Sequence, residues 1–168
     1  GLPAGSSPRT LCAWINPASY PASGNSMMIF EYGTAATGRS ADLHLRNVSG
    51  TMEFWLSGYS TGYELRVAYQ PPLNSWSHVC AVYAGGTSAD AYANGRLLTP
   101  IVSISNTWNT EATAAQIFRI GRHVTLSDYF KGKIDDVRIY NNALSATQIR
   151  QLATQIPSGL AARYDMID

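Results

Sequence analysis

The sequence predicts an all-β fold in which two antiparallel sheets pack as a jelly-roll sandwich, with one short helix at the C-terminal edge. Composition is the first observation: the 168-residue chain is rich in Tyr, Trp, Thr, Ser, Gly and Val but has two Lys and four Glu. Long solvent-exposed helices normally need many Lys and Glu, whereas β-branched and aromatic residues favour strands. The second observation is a series of about ten short strand-like runs, separated by turn signals at regular spacing.

The strand-like runs are recognised by β-branched and aromatic residues between turns rich in Gly, Pro, Asn and Ser. The first six runs cover residues 10–16, 27–32, 41–46, 51–57, 63–69 and 76–83. The later runs cover residues 88–93, 96–103, 116–121 and 133–140, and the tail at 160–165 is expected to add one more. Asn94-Gly95 lies between two runs and is the preferred sequence of a type I′ hairpin turn.

One helix is marked by its N-terminal signals. Ser145 and Gln148 match a capping box, in which each side chain bonds the backbone amide of the other residue. Leu144 before the cap and Ile149 after it match a hydrophobic staple. The pattern therefore predicts a helix over residues 146–154.

Length and charge limit the classes of function. We expect residues 1–168 to form a single domain, excised from a larger multidomain protein because the chain opens without Met. With 12 basic and 11 acidic residues and no run of more than two basic residues, the sequence gives no sign of a nucleic-acid partner. No apolar run approaches the ~20 residues of a membrane span, so membrane insertion is not expected.

Cys12 and Cys80 are the two cysteines, and both lie in the middle of predicted strands. The sequence leaves two interpretations open: a pair of buried thiols, or a disulfide between neighbouring strands. A disulfide closing a loop of this length would contribute about 4 kcal/mol in the chain-entropy treatment. Oxidation would imply export from the cell.

Alternation assigns the faces of three consecutive strands over 41–69. If the apolar set points inward, Asp42, Glu53 and Ser57 point outward on these strands, together with one further set. That further set consists of His44, Arg46, Trp55, Glu64 and Arg66. An outward Trp55 among hydrogen-bonding side chains is typical of a sugar-stacking surface. The alternative is a solvated sheet face on which arginine stems flank Trp55.

Several segments together resemble one family. "PRTLCAWINP", "NSWSHVCAVYAGGTSADAYANGRLL", "FRIG" and "FKGKIDDVRIYNNALSATQIRQL" resemble laminin G-like domains of the concanavalin A-like lectin/glucanase superfamily. The match is with the bacterial type found in large secreted and surface proteins, and it covers residues 8–154. The resemblance implies a jelly roll with one concave face, in a protein that is secreted or displayed at the cell surface.

Pentraxins are more distant relatives that the chain resembles at the same positions. They carry a disulfide between an early strand and the strand that begins with the W-x-x-x-C motif, and Cys12 and Cys80 match those two positions. The resemblance therefore implies a Cys12–Cys80 disulfide. The pentraxin calcium site matches poorly, because the loop after "FRIG" has a single acid, Asp128, and Asp42 alone lies near the other matching segment.

A calcium ion is implied by a second resemblance. In family 16 glycoside hydrolases a D-Y-V-R-V-Y strand holds a structural calcium through its Asp, and "DDVRIY" resembles that strand with Asp135 as the matching acid. The alternative is that Asp135 and Asp136 accept hydrogen bonds from loop amides and from arginines such as Arg138 or Arg163. Strand alternation sends the two adjacent acids to opposite faces.

The tail "IPSGLAARYDMID" resembles the opening strand of the next unit in tandem laminin G-like arrays. We expect it to pair into this domain as a terminal strand, because a free apolar tail would be unstable.

Catalysis is not expected. The E-x-D-x-x-E motif that sets two carboxylates about 5 Å apart on one strand is absent, although Glu53 and Glu64 could face each other across adjacent strands. His44, His78 and His123 lie in different segments, and none accompanies a G-x-S-x-G elbow.

Two non-enzymatic functions remain. The first is carbohydrate binding, with Trp55, Tyr59, Tyr63 and Trp108 as stacking residues. Arg46, Arg66 and His44 would fix the sugar hydroxyls. The alternative is an adhesion or spacer domain that binds an extracellular protein, or no ligand, beside the neighbouring domains of a larger chain.

Overall fold

The computed structural model describes residues 1–112, 118–123 and 128–155. The described strands are β1 Arg9–Pro17, β2 Ser26–Gly33, β3 Ser40–Val48, β4 Thr51–Ser57, β5 Glu64–Ala68, β6 Ser77–Gly85, β7 Ser88–Ala93, β8 Arg96–Leu97, β9 Pro100–Val102, β10 Arg119–Ile120 and β11 Gly132–Tyr140. The helix α1 covers Ala146–Thr154. In the described part of the chain, no helix has the length and apolar character that a membrane span requires.

The strands form two antiparallel sheets. One sheet has the order β11-β1-β6-β7-β8 and the other has the order β10-β2-β3-β4-β5-β9. The predicted jelly-roll sandwich is therefore confirmed. The core between the sheets is apolar, and its largest members include Phe30, Phe54, Tyr83 and Trp108.

The predicted strand over 96–103 is wrong as a single element. It forms two short strands that belong to different sheets, since β8 pairs with β7 whereas β9 pairs with β5. Pro100 opens β9 at a sheet edge, where the missing proline amide removes no ladder hydrogen bond. The predicted tail strand over 160–165 and the first residues of the predicted strand over 116–121 lie outside the described residues.

Alternation on β3, β4 and β5 follows the prediction. Leu43 and Leu45 of β3 lie in the core, as do Phe54 of β4 and Val67 of β5. The residues between them in the sequence therefore point to the opposite side of the six-stranded sheet, which we call the outer face.

A β-bulge in β2 contributes to the outer face. Met28 pairs with His44 but Phe30 pairs with Leu43, so one extra residue lies in β2 between them. The bulge restores Phe30 to the core and places Glu31 opposite Asp42. Strict alternation would have turned Glu31 into the core, where an ionised carboxylate is costly.

The predicted disulfide is present. Cys12 of β1 and Cys80 of β6 are direct partners in the ladder, and their sulfur atoms are bonded at 2.03 Å. The bridge belongs to a second apolar cluster, on the side of the five-stranded sheet away from the core. Helix α1 covers this cluster with Ile149, and the capping box of Ser145 and Gln148 is confirmed.

The Asn94-Gly95 turn connects β7 to β8. Asn94 has φ 48° and Gly95 has φ 79°, so both turn residues are left-handed, as a type I′ turn requires. Gly95 also allows the helix to approach, because a Cβ at this position would lie 3.1 Å from the Cα of Arg150. The helix thus contacts the β7–β8 hairpin at the edge of the five-stranded sheet while it also covers the disulfide cluster on the face of that sheet.

The two adjacent acids of β11 lie at a second bulge. Cys12 pairs with Arg138 whereas Trp14 pairs with Asp135, so β11 has one more residue than β1 between these two pairs. Asp136 lies in this bulge with φ 48°, and the regular alternation predicted for Asp135 and Asp136 is therefore interrupted. The Asp136 backbone amide donates to Asp135 Oδ1 at 2.7 Å, and Arg138 Nε donates to Asp136 Oδ1 at 2.7 Å. These hydrogen bonds, from an amide and from Arg138, are of the kind expected under the alternative to a calcium ion at Asp135.

Candidate functional site

Three rows of side chains cross the outer face, one residue from each strand. Each row takes one residue from β2, β3, β4 and β5, in that order. The first row is Glu31, Asp42, Ser57 and Glu64. The second row is Met28, His44, Trp55 and Arg66, and the third row is Ser26, Arg46, Glu53 and Ala68. The predicted outward set is thus confirmed as one surface. Because these strands lie about 4.8 Å apart, neighbours in a row are within reach of one another.

Trp55 lies on the outer face but is not exposed. Only 7% of its surface is accessible, because the guanidinium groups of Arg66 and Arg46 lie 4.4 and 5.1 Å from its ring. The His44 ring lies 5.1 Å away, and the indole Nε1 donates to Glu53 Oε2 at 2.8 Å. The expectation of an exposed stacking Trp55 is wrong. Alternation predicts the direction of a side chain, but not whether long neighbours cover it.

Glu53 and Arg66 form a bidentate ion pair. Arg66 donates from Nε to Glu53 Oε2 at 2.9 Å and from Nη2 to Oε1 at 3.2 Å. The hydrogen bond to Glu53 raises the pKa of Arg66 above its usual value. Glu53 pairs with Ala68 in the ladder, and Glu64 pairs with Ser57, so the two glutamates do not face each other. The possible Glu53–Glu64 pair is therefore wrong.

Trp108 and Tyr63 are not surface stacking residues. Trp108 is 1% exposed and stacks on Tyr83 in the core, with ring centroids 4.7 Å apart. Its Nε1 donates to the backbone carbonyl of Tyr63 at 3.1 Å, and Tyr63 is half-buried against the same core. The prediction that Trp108 contacts a sugar is wrong because the indole faces inward from a loop, where no periodicity indicates direction.

A pocket of about 230 Å³ opens on the outer face. Its described lining contains four of the predicted binding residues, which are His44, Arg46, Trp55 and Tyr59. Arg66, which lies over the Trp55 ring, is not part of the described lining of the pocket.

Tyr59 supplies the exposed aromatic ring at this pocket. The residue is 37% exposed, and its ring stacks on His123 with centroids 5.7 Å apart. Its backbone has φ 73°, a left-handed conformation that is unusual for a bulky residue. The Ser57 hydroxyl accepts from the Tyr59 amide at 3.0 Å and supports this conformation. Strained backbone of this kind concentrates at functional sites.

Buried polar groups line the floor of the pocket. His44 Nδ1 lies 2.8 Å from Asp42 Oδ1. Glu64 is 8% exposed, and burial raises the pKa of its carboxyl. Burial lowers the pKa of His123, whose Nε2 lies 3.6 Å from Glu31 Oε2.

Glu64 and Arg46 have no hydrogen-bonding or ion-pair partner within residues 1–112, 118–123 and 128–155. Arg46 rests on the Trp55 ring, and Glu64 lines the pocket opposite Ser57. Both groups can therefore hydrogen-bond a ligand without first breaking a hydrogen bond or an ion pair to a described residue.

Sequence reasoning missed three residues of the pocket. Glu64 was assigned outward but not assigned to a site, although its position on β5 beside Ser57 was readable from alternation. His123 and Asp128 come from the segment between β10 and β11. The pentraxin resemblance matched the segments of Asp128 and Asp42 to one calcium site but assigned neither residue to a binding site, and no periodicity indicated His123.

Metal-binding groups are scarce among the described residues. The one group of three ligand-type side chains within 4.8 Å is Cys12, His78 and Cys80, and both of its thiols are consumed by the disulfide. Around Asp135, one carboxylate oxygen accepts from an amide, and neighbouring Asp136 is paired with the Arg138 cation. Calcium prefers six to eight oxygens with several carboxylates, so this donor set does not fit the ion well.

The chain belongs to the family that these features indicate. The Laminin_G_3 family model, described as concanavalin A-like lectin/glucanases superfamily, matches residues 2–150. The predicted family is thereby confirmed. No curated protein matches the sequence significantly.

Solved structures share the fold. A native heptameric SAP-like pentraxin from Limulus polyphemus aligns with a TM-score of 0.65 at 20% identity, covering 96% of this chain and 75% of that one. A "putative carbohydrate binding protein" from Bacteroides ovatus aligns with a TM-score of 0.62 at 21% identity, covering 88% of this chain and 41% of that one. The binding domain of botulinum neurotoxin serotype G has a TM-score of 0.57 at 15% identity, with 90% and 37% covered. At these identities the likeness is one of fold.

Proposed function

We propose that this domain is a non-catalytic carbohydrate-binding module and that the pocket at Tyr59, Arg46 and Glu64 is its glycan site. The observation that carries the proposal is one pocket that combines an exposed aromatic ring with the buried carboxyl of Glu64 and the half-buried guanidinium of Arg46, neither of which has a hydrogen-bonding partner among the described residues. Saccharides are recognised by this combination, since a ring packs on the C–H face of a sugar while charged groups bond its hydroxyls.

Each of the three residues has a distinct role in the proposed site. Tyr59 replaces Trp55 as the stacking residue, and its stack on His123 orients the ring. Arg46 donates to sugar hydroxyls from its place over Trp55, and Glu64 accepts from them or, when protonated, donates. Trp55, Arg66 and Glu53 act beneath the site, by fixing the Arg46 side of its floor.

The absence of catalysis is part of the proposal. A glycosidase needs two carboxyl groups at a defined separation, of which one is free to transfer a proton and the other to act as base or nucleophile. Glu53 is bound by the Trp55 indole and by Arg66, and Asp42 is bound by His44. These contacts support a binding role for the acids of the outer face.

We further propose that the domain acts outside the cell, secreted or at the cell surface, as one unit of a larger chain. The Cys12–Cys80 disulfide supports this placement, because disulfides persist in oxidising compartments. The naming of the Bacteroides ovatus neighbour as a "putative carbohydrate binding protein" is consistent with a glycan partner. Calcium at Asp135 stays a prediction, which removal of the ion with EDTA tests by its effect on the melting temperature.

A glycan array tests the proposed function, run with calcium and with EDTA on protein whose folding is checked by circular dichroism. We expect binding to at least one glycan, weakened tenfold or more by Tyr59→Ala and largely retained by Tyr59→Phe, because the ring supplies the contact. Leu97→Ala, which removes an exposed apolar side chain from β8 of the other sheet, is the matched control. A folded domain that binds no glycan under either condition would favour the adhesion or spacer alternative.

A further inference from the structure

The pocket at the outer face is more acidic than the protein as a whole. The chain carries a formal net charge of +1. Among the described residues, the pocket wall contains three acids, Asp42, Glu64 and Asp128, and one arginine, Arg46. Burial lowers the pKa of His123, so that this histidine is neutral near pH 7 and adds no positive charge.

Charges just outside the pocket do not reverse this balance. Glu53 is matched by Arg66 at 2.9 Å, and Glu31 lies 3.7 Å from Arg119. Each of these is a pair of opposite charges. Burial raises the pKa of the Glu64 carboxyl, and Arg66, which still acts on Glu64, lowers that pKa by less. Asp42 is paired with His44 at 2.8 Å, which leaves Glu64 and Asp128 facing the single arginine of the described wall, Arg46.

Glu64 is the part of this acidic wall that points to a ligand. The residue is 8% exposed and lines the pocket. Within the ranges that the structure describes, it accepts no hydrogen bond and forms no ion pair. Its carboxyl therefore opens on the pocket without a hydrogen-bonding partner from the described residues, and a donor supplied by a ligand would stabilise the ionised form.

The spacing of the acids favours an organic cation over a metal ion. Asp42, Glu64 and Asp128 do not form one of the groups of ligand-type side chains that could hold a metal ion in the described part of the chain. A pocket of about 230 Å³ admits a sugar ring, and charges dispersed around it suit a ligand with one positive group among several hydroxyls.

We propose that the pocket selects saccharides that carry a primary ammonium group, that is amino sugars without an N-acetyl group, and that Glu64 accepts the ammonium. This inference rests on the proposed function and names the sugar class of the same site. Arg46 binds hydroxyls on the far side of the ring and disfavours a second cation, while Tyr59 covers the C–H face. Uronic and sialic acids are rejected, because Asp42, Glu64 and Asp128 repel a carboxylate.

Isothermal titration against four trisaccharides separates these possibilities. The probes are the β-1,4 trimers of glucosamine, N-acetylglucosamine and glucose, and a galacturonic acid trimer. We expect the glucosamine trimer to bind about tenfold more tightly than the glucose trimer, the usual difference for one charge-assisted hydrogen bond. The N-acetylglucosamine trimer should bind no better than the glucose trimer, and the galacturonic acid trimer should bind more weakly than either.

Two variants with the same charge change separate the pocket from general attraction. Glu64→Gln keeps the shape of the side chain and should lose the tenfold preference for glucosamine while retaining affinity for the glucose trimer. Asp90→Asn removes one exposed acid from β7 of the other sheet and should leave the preference unchanged.

Each alternative result has one interpretation. Equal binding of the glucose and glucosamine trimers overturns the amino-sugar inference and leaves the proposed function standing. Equal weakening by Asp90→Asn and Glu64→Gln overturns it by showing general attraction. If none of the trimers binds while the glycan array is positive, the selectivity for amino sugars is wrong; if the array is also negative, the proposed function fails with it.

Discussion

Removal of the Cys12–Cys80 bridge is predicted to cost about 4 kcal/mol of unfolding free energy. The two cysteines are 68 residues apart, and the chain-entropy treatment gives about 4 kcal/mol for a loop of that size. In a domain of this length 1 kcal/mol shifts the melting temperature by about 2–4 °C, so the double variant Cys12→Ala/Cys80→Ala should melt roughly 8–16 °C lower. Urea unfolding followed by tryptophan fluorescence, at 25 °C, measures the free energy.

The single variants make the test of the bridge sharper. Either Cys12→Ala or Cys80→Ala breaks the disulfide, so each single variant should lose nearly as much stability as the double variant. Wild-type protein kept in reductant should behave in the same way. A loss below about 1 kcal/mol, or single-variant losses that add up to that of the double variant, would refute the reasoning.

Three further predictions concern the core, the pocket and the helix. Arg9 is fully buried, and its guanidinium donates to the Tyr32 hydroxyl and to backbone carbonyls between residues 3 and 7. Arg9→Lys should therefore lower the free energy of unfolding, measured in urea, by about 3 kcal/mol, and a loss under about 1 kcal/mol would contradict this role. Burial raises the pKa of Glu64, so the folded state holds the carboxyl proton more tightly than the unfolded state, and stability falls as pH rises above the usual carboxyl pKa. Glu64→Gln should therefore raise the melting temperature at pH 7 by about 2 °C, and this difference should shrink towards pH 4. A variant that is less stable than the wild type at pH 7 would count against it. Ser145→Ala removes the cap of α1 and should cost about 1 kcal/mol by thermal melting, whereas an unchanged melting temperature would mean that the cap is dispensable.

Much of the fold was readable from the sequence because local rules determined it. Alternation over β3, β4 and β5 assigned the outward residues correctly, since a half-buried strand must turn its apolar side to the core. The S-x-x-Q capping box and the Asn94-Gly95 turn were each specified within four residues. The disulfide came from the family resemblance rather than from the residues alone.

The candidate site was less predictable because it depends on contacts between distant segments. Alternation placed Trp55 outward, but Arg46 and Arg66 cover it, and that coverage depends on the conformations of long side chains. His123 reaches the pocket from beyond β10, where no periodicity applies. The bulge in β2 that aligns Glu31 with Asp42 likewise has no signature in the sequence.

The most direct test of the central claim is to map the ligand onto the fold. Backbone amide shifts of isotope-labelled protein are recorded by NMR during titration with a saccharide that binds on the array. The account predicts that the largest shifts fall on Tyr59, Glu64, Arg46 and His44, with little change on β7 or α1 of the opposite sheet. Shifts concentrated on the five-stranded sheet or its helix, with the pocket residues unmoved, would contradict the assignment of the outer face as the glycan site.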